Sequence, residues 1–519
     1  MKVENKIIND RSFLSDGKIE RPKTINTDEK IDYVSPDING IKKVLLMYPN
    51  QRWLKEDMTT TWNPTPYSIC QLASMIRDIV EVKLLDAHFD DLSREDVKKY
   101  IKRFKPDMVG ISQLSTEYKA ILDMAADDIK EVSKDIVTIA GGVHATVEFN
   151  DVMKNPNVDF TCHGEGEYVL IEFINYLNKK GPFPEKGIIS RTSKGELNVG
   201  HRAVVEDLNE LPDPAFDLID FNKYMMTPQR YGIDSPDRLP FVRYATSRGC
   251  PVGCTFCQVE FISGAKVRVL SPENVVRQLQ YLKEEYGIRS YHFEDDNAFF
   301  YRRRTKELLQ LMIDEKLDLT WKATGVFLPT LDEEVYQLME ASGGKMLNIA
   351  IESGTERILK KVIKKPINLE TVPECIALAQ KYGLYIATNF IIGVPTETWD
   401  EVRQTINFAE NCGSDYTKFY LATPLTGTEM YNFAMEQDAV DNLNITVDQR
   451  YSVMKGVDWT AKDLNCLRVY EWDRINFSDP IKRKKTAAMM GLTLEELEGV
   501  RKGTRDALML DATHYSQNE

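Results

Sequence analysis

Residues 247–258 read SRGCPVGCTFCQ, and the spacing of Cys250, Cys254 and Cys257 within that stretch decides how the rest of the chain is understood. Three thiols within eight residues, on a loop bent by Gly249, Pro251 and Gly253, can converge on one face of a small inorganic cube. Soft sulfur ligands select iron–sulfur clusters, zinc or copper(I). A 4Fe–4S cluster held by three cysteines keeps one iron without a protein ligand, much as a catalytic zinc keeps an open position. The plainer alternatives are a structural zinc site completed by a distant His or Cys, and three buried thiols. Cys70, Cys162, Cys375, Cys412 and Cys466 have no ligand spacing and read as core thiols, so a second cluster is not expected.

The triplet comes just after Val242–Thr246, the first of six short apolar runs. The others are Ser290–Glu294, Leu319–Thr324, Met346–Ile351, Leu384–Ile392 and Lys418–Leu421, with helix-length segments between. The first of those segments is well punctuated: Ser271 caps it, Pro272 suits its first turn and Gly287 ends it. Val275, Val276, Leu279 and Leu282 form its buried stripe. Six strand–helix units predict a partial (βα)6 barrel of TIM type over 241–437. Active sites of such folds lie at the C-terminal ends of the strands. Glu294, Asp295, Asp296 and Asn297 end the second strand, Glu352 and Ser353 the fourth, and Gly393, Val394, Pro395 and Glu397 come after the fifth. All fall on the rim that carries the cysteines. Taken singly, each carboxylate could equally cap a helix or face solvent.

Upstream, Lys43–Tyr48 (KVLLMY) is a continuous apolar run of the kind found in a strand covered on both faces. Similar runs at Val82–Leu85, Met108–Ser112, Ile136–Ala140 and Val158–Thr161 alternate with helix-length stretches such as Ser68–Val80 and Tyr118–Lys134. This predicts a parallel, doubly wound, Rossmann-like sheet over 42–180. Small residues at its carboxyl strand ends, in Ile111–Ser115 (ISQLS) and Gly141–Thr146 (GGVHAT), with His163–Glu167 (HGEGE) beyond, open the crevice where such sheets bind nucleotide-like ligands. Residues 1–41 read as a polar extension and 181–240 as a proline-punctuated connector. Residues 438–519 read as mainly helical, with Thr493 and Glu496 in capping-box spacing. Lys482–Lys485 (KRKK) reads as a solvated helix face, with a substrate phosphate contact as the sharper alternative.

Composition sets the outer limits. The 519 residues suggest about three folding units. Lys and Arg total 66 against 80 Asp and Glu, a formal net charge of −14, which disfavours general binding to nucleic acid or anionic membrane. No run of about 18 apolar residues and no signal-peptide pattern occurs, so a cytoplasmic protein without a membrane span is expected.

The cysteine triplet, with Phe256 before its last member, resembles the signature of the radical S-adenosylmethionine (SAM) enzymes. The resemblance implies that the open iron is chelated by the amino and carboxylate groups of SAM, which on one-electron reduction yields a 5′-deoxyadenosyl radical. Glu294 and Asp295 stand where a Gly-Gly-Glu motif often binds the SAM amino group, and Glu352–Ser353 resembles the ribose-contacting segment. Gly393–Val394 would lie at the adenine, although Asn389 replaces the usual first glycine of that motif and the acid is shifted to Glu397. Lys322 and Arg268 are candidates for the SAM carboxylate.

The N-terminal run, including the GGxHAT…GEGE pair, is similar to the cobalamin-binding domain that precedes many radical SAM domains. That assigns Ser112, Gln113, Gly141, Gly142, His144, Gly164 and Glu165 to cobalamin. Carriers that ligate cobalt from below use Asp-x-His-x-x-Gly after the first strand, but the loop Asn50–Asn63 has no histidine. His88, in Asp86-Ala87-His88, lies after the second strand and reads as a loop or core residue, and His144 and His163 as hydrogen-bonding residues. Cobalamin with no histidine on cobalt is therefore expected. The combined resemblance, closest to methylases of phosphonate and natural-product pathways, implies methyl transfer to an unactivated carbon, or to phosphorus, of a small molecule, with a flavodoxin or ferredoxin as reductant. Oxidative ring closure or carbon–carbon coupling shares the architecture. A corrinoid carrier or electron-transfer protein is the reading from another class, disfavoured by the missing histidine in the first case and by three rather than four cysteines in the second.

Overall fold

In the computed structural model, which describes residues 40–54, 65–113, 119–227, 238–440 and 452–514, the KVLLMY run is an interior strand, second in the order of the first sheet. The N-terminal extension up to residue 39, most of the loop Asn50–Asn63, and Leu114, Ser115, Tyr118, Pro228 and Pro236 lie outside the described residues. Strand β1 (Lys43–Tyr48) is flanked by β2 (Glu81–Asp86) and β3 (Met108–Ser112), with β4 (Val137–Gly141) and β5 (Phe160–Cys162) beyond, all parallel. Its alternate residues explain the unbroken apolar run. Val44, Leu46 and Tyr48 enter a core shared with the rest of the molecule, whereas Leu45 and Met47 enter a separate one under the helices Arg94–Phe104 and Lys119–Val132. Because the chain leaves β1 for β2 on one side and β3 on the other, a crevice opens at their carboxyl ends.

Two strands of the first sheet were not legible in the sequence. The residues read as connector begin with β6 (Ile188–Arg191) and β7 (Leu197–Val199), which extend the first sheet antiparallel beyond β5. At four and three residues they carry too little alternation to be recognised.

Strand β8 (Phe241–Tyr244) opens the second sheet. Two-residue strands β9 (Ser247–Arg248) and β10 (Arg268–Val269) then pair antiparallel and tie off the loop between them. The second sheet continues with β11 (Ser290–Phe293), β12 (Thr320–Val326), β13 (Gly344–Glu352), β14 (Tyr385–Ile392) and β15 (Tyr416–Leu421). Its six strands lie in chain order, all parallel, with the barrel left open between β15 and β8. The helix Pro272–Tyr286 has the expected cap, with the Ser271 side chain accepting from Asn274 N and Gly287 left-handed at its end.

The C-terminal helices Ala461–Phe477, Pro480–Met490 and Leu494–His514 close the barrel base. Phe477, Ala487 and Met490 pack on Met346, Tyr385 and Tyr416. Asn476 takes the place of a seventh strand at the open edge, its side chain accepting from Thr417 N and donating to Thr417 O, both at 2.8 Å. Among the described residues no helix is long and apolar enough to cross a membrane.

Candidate active site

The cysteine loop is held by the residues that end β11. Gly249 has φ +90°, and a Cβ there would lie 2.4 Å from Lys266 O, so the bend into Cys250 requires glycine. Asp296 accepts from Gly249 N at 2.8 Å, and Asn297 Nδ2 points at Cys250 Sγ from 3.7 Å. Asp295 is buried and accepts from Thr246 N and Oγ1 (both 2.9 Å) and Ser247 Oγ (2.6 Å), with burial raising its carboxyl to about 6. This differs from the expected SAM contact: Asp295 holds the entry to the loop. Glu294, the residue before Asp295, points elsewhere and meets Arg243 of β8.

The far side of the loop is held by the segment just beyond β13. Thr255 donates through N to Ile363 O (3.0 Å) and through Oγ1 to Val362 O (2.7 Å). Those acceptors lie at the end of a π-helical turn, Ile358–Ile363, that delivers Lys365 to the site. Lys365 is buried and donates to Glu352 Oε1 at 2.8 Å. Burial opposes its charge, but Glu352, Cys254 and Cys250 outweigh that and leave its pKa raised. Lys365 was missed in the sequence, because in VIKKPI it resembles a surface lysine. Burial pushes the thiols of Cys254 and Cys257 up to about 12 and about 11, so a thiolate there needs a bound electrophile. Three such thiols beside a buried ammonium fit an anionic iron–sulfur cluster with an acidic cofactor group against it. Phe256 packs on the main core and positions the loop from beneath.

Other expected SAM residues have different partners. The Ser353 hydroxyl is buried against Thr405 Oγ1 (3.2 Å) and Thr355 Oγ1 (3.3 Å). Gly393 has φ +82°, and its Cβ would fall 2.3 Å from Leu464 of the C-terminal helices, so packing already requires glycine there. Val394 is buried in the core. Glu397 secures this turn, accepting from Gly393 N (2.6 Å) and Val394 N (3.1 Å), and burial raises its carboxyl to about 8. Lys322 is buried inside the barrel and donates to Met489 O at 3.4 Å, whereas Arg268 is engaged elsewhere.

In the first sheet, Ser112 and Gln113 end β3, and Gly141 and Gly142 end β4, beside each other in register. Gly142 has φ +90°, and a Cβ would strike Gln113 O at 2.4 Å. Gln113 Nε2 and both ring nitrogens of His144 are buried without a hydrogen-bond partner. Burial lowers the His144 pKa to about 4, so its ring is neutral near pH 7. Orphaned buried donors and acceptors at two adjacent strand ends fit a large ligand rich in amides, as cobalamin is. His88 Nδ1 lies 3.3 Å from Asn50 Oδ1 in the turn after β2, and His163 Nδ1 3.0 Å from Gly200 O. Gly164 has φ +96° and meets Ala203 O, not a ligand cavity.

Glu165, expected at cobalamin, ties the end of the first sheet to the β9–β10 pair that frames the cysteine loop. It pairs with Arg268 (2.6 and 2.8 Å) and with Arg248 (3.3 Å), and Glu167 takes Arg248 at 2.7 Å. The crevice and the cysteine loop are thus adjacent: the helix Val143–Val147 packs on the helix Val259–Ile262 just after Cys257. Among the remaining cysteines, Cys70 and Cys412 are buried and Cys162 and Cys375 partly so, but Cys466 is exposed and is not a core thiol.

Residues 244–409 match the Radical SAM superfamily and residues 62–174 the B12 binding domain. An uncharacterized methyltransferase of Pyrococcus horikoshii is 32% identical over 436 residues, 82% of this chain and 91% of that one. Cytidylyl-2-hydroxyethylphosphonate methyltransferase of Streptomyces wedmorensis is 29% identical over 458 residues, 78% and 84% of the two chains. The fold is also that of the radical SAM methyltransferase TsrM from Kitasatospora setae, solved with cobalamin and a [4Fe-4S] cluster: TM-score 0.62 at 18% identity, covering 85% of this chain and 82% of that one.

Proposed function

Since this chain belongs to the radical SAM enzymes that carry a B12-binding domain, we propose that it is a cobalamin-dependent methyltransferase acting on an unactivated carbon, or on phosphorus, of a small molecule. The observation that carries this reading is the packing of the helix Val143–Val147 against Val259–Ile262, which sets the crevice of the first sheet beside the cysteine loop. When bound, the cluster and SAM supply the hydrogen-abstracting radical and cobalamin supplies the methyl group.

The chain's own residues bind, orient and shield. Cys250, Cys254 and Cys257 hold the cluster, with Asp295, Asp296 and Asn297 fixing their loop from one side and Thr255 from the other. Lys365 is offered to the SAM carboxylate, and Glu352 and Glu294 to its ammonium and hydroxyl groups. Ser112, Gln113, Gly141, Gly142 and His144 line the cobalamin crevice. His144, neutral at pH 7, serves as a hydrogen-bonding group. An external one-electron donor such as a flavodoxin or ferredoxin completes the system.

The test is anaerobic turnover with a candidate substrate, then mass spectrometry of the products. The reading requires a product one methylene heavier together with 5′-deoxyadenosine, and neither without cobalamin. Turnover in cobalamin-free protein sinks it. A product that has lost hydrogen without gaining mass assigns ring closure instead.

A further inference from the structure

The barrel is open between β15 and β8, yet beyond the carboxyl ends of those strands the gap is bridged. Residues 422–428 (ATPLTGT) follow β15 and lie against the loop that follows β8. Gln258, the buried neighbour of Cys257, donates through Nε2 to Thr426 O at 2.9 Å. Just past the segment, Met430 N donates to Thr255 O, also at 2.9 Å. Two of the residues that frame Cys257 are therefore tied to this one stretch of chain.

The same stretch reaches the other cofactor domain. Gly427 meets Val147, the last residue of the helix that begins after Gly142 and carries His144. A Cβ on Gly427 would lie 3.3 Å from Val147 Cγ1, closer than side chains ordinarily pack. Its φ of +86° also favours glycine. The crevice helix thus rests on bare backbone that is itself bonded to the cysteine loop.

The segment has little slack. Ala422 N donates to Ile392 O (2.9 Å), continuing the pairing of β15 with β14, and Leu425 N donates to Thr423 O (2.9 Å). Thr428 Oγ1 donates to Leu425 O (2.7 Å) and accepts from Tyr431 N (3.1 Å), capping the helix Glu429–Glu436. Chain bonded at both ends and in its middle passes a displacement on to its neighbours, as close-packed interiors do.

We propose that residues 422–428 are a rigid spacer that sets the separation of the cobalamin crevice from the cysteine loop, with Gly427 as the positioning residue. Gly427 touches neither cofactor. It acts through Val147, by letting the crevice helix approach the loop that holds the cluster. The inference rests on the methyltransferase reading, since a reaction that uses both cofactors on one substrate is what needs their spacing fixed.

The readout is the electron-spin relaxation of cob(II)alamin in anaerobically reconstituted, cobalamin-loaded protein with the cluster reduced, because a nearby paramagnetic cluster speeds that relaxation steeply with proximity. Gly427→Leu should retain iron and cobalamin but relax at least about twofold more slowly, and adding Val147→Ala should recover at least half of the loss. Gly427→Ala, the milder variant should the first fail to fold, should shift the rate less and in the same direction. Gly413 has the same φ of +86°, in an exposed turn where the nearest atom to a Cβ is Ile376 Cγ2 at 4.0 Å. Gly413→Leu carries the same backbone strain, so it should lower the melting temperature yet leave the relaxation at the wild-type rate. Wild-type relaxation in both Gly427 variants, equal slowing in Gly413→Leu, or no recovery on adding Val147→Ala overturns the proposal. The two failures are distinguishable: a wild type that retains no cobalamin, or whose cluster signal ignores SAM, removes the methyltransferase reading, whereas a SAM-responsive, cobalamin-loaded protein unmoved by the Gly427 variants removes this inference alone.

Discussion

Replacing Glu165 by glutamine strikes the junction between the first sheet and the β9–β10 pair around the cysteine loop. Glu165 and Arg268 have side chains only 8% and 3% exposed, and they meet through two parallel hydrogen bonds of 2.6 and 2.8 Å. Arg268 also donates to Ser263 O at 2.6 Å and to Val205 O, so the guanidinium is fully enclosed. Removing the charge of one partner of a buried pair costs about 3–5 kcal/mol, because the other is left uncompensated. Tenfold corresponds to about 1.4 kcal/mol, so the undocked population should rise by a hundredfold or more.

The same logic predicts the sign of a second substitution. Adding Arg268→Met to Glu165→Gln removes the stranded charge, so the double variant should be more stable than Glu165→Gln. The assay is guanidinium denaturation of reconstituted protein, with cobalamin retention monitored in parallel. A loss below about 1 kcal/mol, or a double variant weaker than Glu165→Gln, refutes the reasoning. Acid should mimic the substitution. Burial raises the Glu165 carboxyl, but Arg268 and Arg248 overcome it and hold it below the usual range. Its contribution is therefore present above about pH 4.3 and lost as pH falls through the depressed value.

Glu397 should behave in the opposite sense: with its folded pKa raised to about 8, its stabilising neutral form is progressively lost between about pH 4.3 and 8, and Glu397→Gln should flatten that decline in melting temperature. A parallel decline in the variant contradicts this. Gly393→Ala combines a left-handed backbone with the Leu464 clash, so a loss of about 2 kcal/mol or more is expected; adding Leu464→Ala should leave the backbone part in place, and full rescue would show that φ is immaterial. His144→Phe should release cobalamin on gel filtration while leaving the iron content unchanged; undiminished retention would detach His144 from the crevice.

Most of the scaffold was legible because its strands are short, apolar and regularly spaced. Met108–Ser112 was delimited to the residue, and the barrel strands to within two. The rim was legible as a place, because strand ends carrying carboxylates and glycines converge there. What each residue does on the rim was less so. Glu294 meets Arg243 while Asp295 turns to Thr246 and Ser247, and Glu352, left-handed at φ +77° beside a register shift, meets Lys365 while Ser353 meets Thr405; such divisions past the strand ends depend on local backbone that no periodicity in the sequence reveals. Lys365 and Arg268 acquire meaning from burial and from partners along the chain, such as Glu165, 103 residues from Arg268. No local pattern separates a buried lysine in VIKKPI from a surface one.

The most direct test of the central claim is EPR of the anaerobically reconstituted, cobalamin-loaded protein, reduced, with and without SAM. The account predicts retained cob(II)alamin without nitrogen splitting from a protein histidine and a cluster signal that changes when SAM is added. A cluster signal indifferent to SAM, or a protein that retains no cobalamin, contradicts it.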